Sequence, residues 1–181
     1  MKRCTWADSE PNVTYHDTEW GIPVHDDAKL FEMLVLEGAQ AGLSWVTILK
    51  RRETYRAAFC NFDVSKVSKF TQRDVNYLLK DEGIIRNKLK VNSAINNAKR
   101  FLEVQSEFGT FDKYIWGFVD YTPIKNKFKN ASEIPTSTSL SDRISRDLKK
   151  RGFNFVGSTI CYAFMQAVGI VNDHTVDCFR H

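Results

Sequence analysis

The sequence predicts an all-α protein, and three observations carry that expectation. Apolar residues recur at helical spacing in successive segments, as in Leu30 to Leu36, in Ile48, Leu49, Tyr55 and Phe59, and in Ala94, Ile95, Ala98, Phe101 and Leu102. Good N-cap residues stand ahead of such segments at Asp26 or Asp27, Ser44, Asp63 and Thr71. No convincing strand pattern and no internal repeat is present.

Taken in order, residues 1 to 25 read as irregular and aromatic, with Trp6, Tyr15 and Trp20 interleaved with Cys4 and His16, a segment that needs a staple to hold one shape. A helix runs from Asp26 or Asp27 to about Gly38 and a second from Ser44 to about Phe59. Asp63 caps a short turn. Thr71 and Asp74 form a near capping box for a helix that stops near Gly83. Glu82-Gly83-Ile84-Ile85-Arg86-Asn87 is a tight connection into the next helix. A further helix spans about Phe111 to Val119. Residues 121 to 138, with two prolines, three lysines and a Ser/Thr run, read as a loop of a length that is often functional. Ser139 or Ser141 starts a helix ending near Arg151, and the apolar stretch Phe153 to Val168 reads as one buried helix ended by Gly169.

The 181 residues, 43% of them hydrophobic, suffice for one domain with a substantial core, arranged as a single body or as two helical lobes around one cleft. No apolar run approaches the ~20 residues that span a bilayer. The opening Met-Lys-Arg-Cys-Thr-Trp lacks the apolar run of a signal peptide, so the expected location is the cytoplasm. There, four cysteines are not two disulfides. A net charge of +4 permits nucleic-acid binding without demanding it.

Three constellations could carry chemistry. In Leu36-Glu37-Gly38-Ala39-Gln40-Ala41-Gly42-Leu43-Ser44-Trp45, a carboxylate, two glycines, a leucine and a tryptophan fall within ten positions. On these residues alone a structural helix corner is the commoner meaning. His174 and Cys178 stand one helical turn apart, and Cys4 and His16 flank a turn in the head. Two Cys and two His make the ligand set of a closed, structural zinc site, although neither half has a zinc-finger spacing and two surface histidines with two free thiols are the alternative. Gly83-Ile84-Ile85-Arg86 resembles a helix-hairpin-helix turn, whose amides could face a DNA phosphate while Arg86, Lys88 and Lys90 neutralise charge nearby. An ordinary helical hairpin is the alternative. Trp6, Tyr15, Trp20 and Trp45 would suit a planar, electron-poor ligand if they wall a pocket, and a core if they do not.

Together the segments Arg3-Cys4-Thr5-Trp6, Tyr15-His16-Asp17-Thr18-Glu19-Trp20-Gly21, Leu30-Phe31-Glu32-Met33, Leu36 to Trp45, Gly83 to Arg86, Ser132 to Ser137, Lys149 to Phe153 and Asn172-Asp173-His174 resemble the bacterial 3-methyladenine DNA glycosylase I family over nearly the whole chain. That resemblance implies the helix-hairpin-helix DNA glycosylase fold. It implies base flipping and hydrolysis of the N-glycosidic bond of 3-methyladenine in double-stranded DNA, without lyase activity, by a monomer. It also implies one structural zinc on Cys4, His16, His174 and Cys178. Glu37 matches the carboxylate that contacts the base, Trp45, Tyr15, Trp20 and Trp6 the pocket walls, and Leu43 beside Gly42 the wedge that fills the gap in the duplex. The family usually carries Asp-Pro-Leu-Tyr shortly before its Tyr-His pair. Here Glu10-Pro11-Asn12-Val13-Thr14 is one residue shorter and lacks that aromatic, which bears on one pocket contact. A superfamily-type catalytic Asp loop is also missing; Asp112 is its nearest counterpart, and Asp17 a further carboxylate to test. The competing expectation is a non-catalytic reader of damaged DNA on the same scaffold.

Overall fold

In the computed structural model, which describes all 181 residues, the chain folds around α2 (Asp27–Gln40). Ten consecutive residues of this helix, Leu30 to Ala39, are buried, so it is apolar nearly all round and lies inside the molecule. Asp26 caps it by accepting from the Lys29 amide at 2.8 Å. Against α2 pack α7 (Lys88–Phe108), α8 (Phe111–Trp116) and α10 (Ser158–Ala167). One cluster of 42 buried residues runs from Cys4 to Cys178, so head, middle and tail share a single core.

The remaining helices are short: α1 (Asn12–Thr18), α3 (Trp45–Leu49), α4 (Arg52–Ala58), α5 (Val64–Val67) and α6 (Gln72–Leu78), with the longer α9 (Ser139–Lys150) late in the chain. Several caps stand where the sequence places them. Ser44 accepts from Thr47, Asp63 from Lys66, and Thr71 and Asp74 close a capping box on α6. α9 starts at Ser139, one of the two starts the sequence predicts, with Thr138 as its cap.

Five expectations need correction. The head is not wholly irregular, because α1 carries Tyr15 and His16 in adjacent, buried positions. The segment 44–59 is two helices, broken at Lys50 and Arg51; the Thr54 hydroxyl donates to the Arg51 carbonyl beside the break. The run from Phe153 becomes helical only at Ser158; Phe155 has φ 53°, and the Asn154 backbone amide and carbonyl are both bonded to the Asn97 side chain. The helix from Phe111 gives way at Gly117–Val119 to a 3₁₀ turn. Finally, two short strands exist, β1 (Ile124–Lys125) and β2 (Val171–Asn172), paired in parallel with Ile124 opposite Val171. Strands this short have no room for an alternating pattern.

A buried ion network ties the head to the body. Arg52 donates through both terminal nitrogens to the Glu19 carboxylate at 2.7 and 2.8 Å, and through Nε to Glu32 at 2.6 Å. Burial alone would raise the Glu19 carboxyl's pKa; Arg52 and Lys29 more than reverse this and hold it below its ordinary value. The network fixes the residue next to Trp20.

Candidate active site

A cavity of about 560 Å³ opens between the C-terminal half of α2, the head and α10. Trp6, Tyr15, Trp20 and Trp45 form its aromatic walls, and Glu37 lies within it. Trp6 meets Trp20 edge-on with ring centres 5.0 Å apart, and Tyr15 stands 5.4 Å from Trp45. The four rings and the carboxyl, spread over forty positions of sequence, therefore share one concave surface.

Glu37 sits on the last turns of α2, 5% exposed, and no protein group donates to it. Burial pushes its carboxyl up to about 8. It is mainly protonated at neutral pH while the cavity is empty, and a cation placed against it would favour the ionised form. Three further polar atoms of the cavity lining are buried without partners: the Tyr15 hydroxyl, Trp45 Nε1 and Asn12 Oδ1. Buried polar groups are almost always satisfied, so a cluster of bare ones in a cavity is the mark of a polar ligand.

At the rim, Gly42 takes φ 77°, a backbone region that favours glycine, and turns the chain so that Leu43 projects with 39% of its surface exposed. Lys90, from the first turn of α7, donates to the Ala39 and Ala41 carbonyls at 2.8 and 2.6 Å. Its ammonium is thus turned inward to the end of α2 and is not offered to a phosphate, contrary to the sequence-based expectation. In the hairpin, Ile84 is core, the Ile85 amide donates to the Tyr55 hydroxyl, the Gly83 amide donates to Asp81, and the Gly83 carbonyl shares the single Thr54 hydroxyl proton with the Arg51 carbonyl. Arg86 is exposed and pairs at 3.5 Å with Glu82. Asp112 is not a cavity residue: it accepts from His25 at 2.7 Å, and its amide donates to Asp27.

Beneath the aromatic walls, ligating atoms of Cys4, His16 and Cys178 lie within 4.8 Å of one another, all buried. His16 donates through Nδ1 to Asp17 at 2.8 Å, which leaves Nε2 facing the Cys178 sulfur at 3.4 Å. Asp17 is held down to about 2, chiefly by its hydrogen bonds from Arg3. It is therefore a support to His16 and stands apart from the cavity. His174 lies against this group, its ring 4.8 Å from that of His16. Asn172 accepts from its Nδ1 at 2.9 Å, and its buried Nε2 has no partner. Burial lowers the His174 imidazole to about 4, so it is neutral with a free lone pair. Gly21 is required here, since a Cβ would come within 2.9 Å of the His174 ring. The tail from Asp173 is a series of turns, so a shared helical face does not bring His174 and Cys178 together. Their order comes from Asp173, which accepts from Tyr162, Gln166 and Asn126.

The family model for methyladenine glycosylase matches residues 6–181. The chain belongs to this family. DNA-3-methyladenine glycosylase 1 of Escherichia coli is 52% identical over 179 residues, spanning 98% of this chain and 96% of that protein. A crystal structure of 3-methyladenine DNA glycosylase I superposes with TM-score 0.97 at 49% identity, covering 99% of this chain and 100% of the other. A structure of the Staphylococcus aureus glycosylase, described as the structural basis of 3-methyladenine recognition, gives TM-score 0.96 at 34% identity over 99% and 96% of the two chains.

For a methyladenine glycosylase the cavity adds an α10 wall that the sequence reading does not single out. Asn12, Gln40, Thr159, Tyr162 and Gln166 line it, as do Ile134 to Thr136 from the long loop. A signal existed for the α10 residues: within an otherwise apolar helix, Thr159, Tyr162 and Gln166 fall at i, i+3 and i+7, a polar stripe on one face. For Asn12 no such periodicity was available.

Proposed function

We propose that this chain is a DNA-3-methyladenine glycosylase that hydrolyses the N-glycosidic bond of N3-alkylated adenine in double-stranded DNA. The observation that carries the reading is Glu37, a carboxyl without a protein partner at the heart of a cavity with aromatic walls.

Methylation at N3 makes the base cationic, so its departure yields a neutral molecule and needs no protonation. Water forms the new bond to C1′, the C1′–N9 bond breaks, its electron pair stays on the base, and the water proton passes to solvent. The protein's part is to flip the nucleotide, select the lesion and shelter the reacting centre. Leu43 fills the gap in the stack, and the exposed Arg86 approaches the DNA backbone from the hairpin, whose Gly83, Ile84 and Ile85 amides are engaged within the protein. Trp6, Tyr15, Trp20 and Trp45 enclose the base. Glu37 loses its proton against the cationic base, accepts hydrogen bonds from it, and keeps negative charge at hand as positive charge passes from base to sugar. It serves both recognition and catalysis.

The Cys4, His16, His174 and Cys178 side chains fit a structural zinc. Cys4, His16 and Cys178 already cluster, a carboxylate stands behind His16, and the unpartnered His174 Nε2 beside them would supply the fourth ligand. The metal would hold the head to the tail and supply no open position for chemistry. The chain acts as one domain and as a monomer, and no helix is long and apolar enough to cross a membrane.

The test is chromatography of bases released from methylated duplex DNA. Free 3-methyladenine is expected from the intact protein and not from Glu37→Gln. A protein that binds methylated DNA and leaves every base attached would be a reader and not an enzyme.

A further inference from the structure

Asn12 opens α1 and lines the cavity. Its Nδ2 donates to the Trp6 carbonyl at 3.2 Å, which sets the amide's orientation, because the flipped amide would face one acceptor with another. The opposite end, Oδ1, is buried and has no donor. Its neighbours differ in kind. Trp45 Nε1 can only donate, while the Tyr15 hydroxyl and a protonated Glu37 can do either. Among these bare polar groups the Asn12 oxygen alone is always an acceptor and never a donor. A ligand that completes this wall must bring an N–H or O–H to it.

We propose that Asn12 determines specificity, its amide oxygen accepting a hydrogen bond from the exocyclic amine of the flipped base. The inference rests on the glycosylase reading and deepens it. In an N3-alkylated adenine still joined to DNA, N9 carries the sugar, N3 carries the alkyl group, and N1 and N7 carry lone pairs. The 6-amine is then the only N–H donor on the base. Its two hydrogens can serve two acceptors, Glu37 and Asn12. A base with a carbonyl at that position would set oxygen against oxygen, so Asn12 excludes it by leaving two acceptors unpaired.

The experiment titrates the protein with free 3-methyladenine and with 3-methylpurine, which lacks the amine, following tryptophan fluorescence. Asn12→Leu is expected to weaken 3-methyladenine binding roughly fivefold to thirtyfold, the range for a buried hydrogen bond lost on one side. Binding of 3-methylpurine should stay within about twofold of the unaltered protein, since no amine is there to be lost. Asn12→Asp keeps an acceptor and is expected to hold 3-methyladenine at least as tightly as the unaltered protein. Equal losses for the two ligands in Asn12→Leu would mean that the residue only positions Trp6, and no loss for either would mean that it does not reach the base; each result overturns the proposal alone. An unaltered protein that binds neither ligand would overturn the glycosylase reading and this inference with it.

Discussion

The Lys90 ammonium lies 2.6 Å from the Ala41 carbonyl, and so joins the first turn of the hairpin's second helix to the turn that presents Leu43. α2 has no basic residue in its own last turn, and Lys90 supplies the cation that its C-terminus favours. The hairpin and the turn that presents Leu43 are thus one mechanical unit. Lys90→Met removes both bonds to the α2 carbonyls and should cost about 1–3 kcal/mol of stability. Its excision from duplex DNA should fall further than its affinity for free 3-methyladenine. Parallel losses in the two assays would show that Lys90 supports the cavity and not the wedge.

Leu43 leaves 39% of its surface exposed at the cavity's rim. Leu43→Ala should leave the melting temperature and free-base affinity nearly unchanged, while excision from duplexes drops by about tenfold. Single-strand and duplex substrates measured side by side check this, because only the duplex has a gap to fill.

The raised pKa of Glu37 has a sign that can be tested. In the unfolded chain its carboxyl ionises near 4.5, whereas in the empty folded protein it keeps its proton up to about 8. Between those values the native state binds more protons, so this group's contribution to stability is complete below about 4.5 and is lost as pH rises through 8. Glu37→Gln has no such dependence. Its stability advantage over the unaltered protein should grow between pH 5 and pH 9, reaching a few kcal/mol at most. Its affinity for 3-methyladenine should fall by about one to two decades. Thermal melts across pH and fluorescence titration report the two effects separately.

Elemental analysis should find about one zinc per chain, as a structural Cys₂His₂ site requires. Replacing His16 and Cys178 together by alanine should abolish it and lower thermal stability. Removing the metal should also alter the fluorescence of Trp6 and Trp20, which pack against His16. Unchanged metal content in the double variant would reject the ligand set.

How much was legible follows from where each determinant lies. Asp26, Ser44, Asp63 and the Thr71–Asp74 box are local signals, and each operates as read. Glu37 is singled out by the family resemblance, since the ten residues around it alone favour a structural corner, and its burial at the end of α2 is a tertiary fact. α1 was illegible because seven residues without a side-chain cap carry almost no helical signature, and their order comes from Tyr15 and His16 packing on opposite sites. The break at Arg51 and the late start of α10 depend on Thr54 and on the Asn97–Asn154 bonds, the latter spanning 57 residues. The four-residue spacing of His174 and Cys178 predicts one helical face, yet the tail is irregular there and is anchored by Asp173 and its three donors, a tertiary fact.

His16 and Cys178 are separated by 162 positions and meet within 3.4 Å. During synthesis α2 and α7 can pack as soon as both have emerged, and Arg52 can already hold Glu19 of the head, but Cys4 and His16 have no partner from the tail until Cys178 arrives. A ribosome that has passed α9 therefore holds a chain with most of its core and no finished pocket. A chain that stops before α10 lacks Thr159, Tyr162 and Gln166 of the cavity wall and Cys178 of the buried Cys/His cluster, so it has neither in complete form.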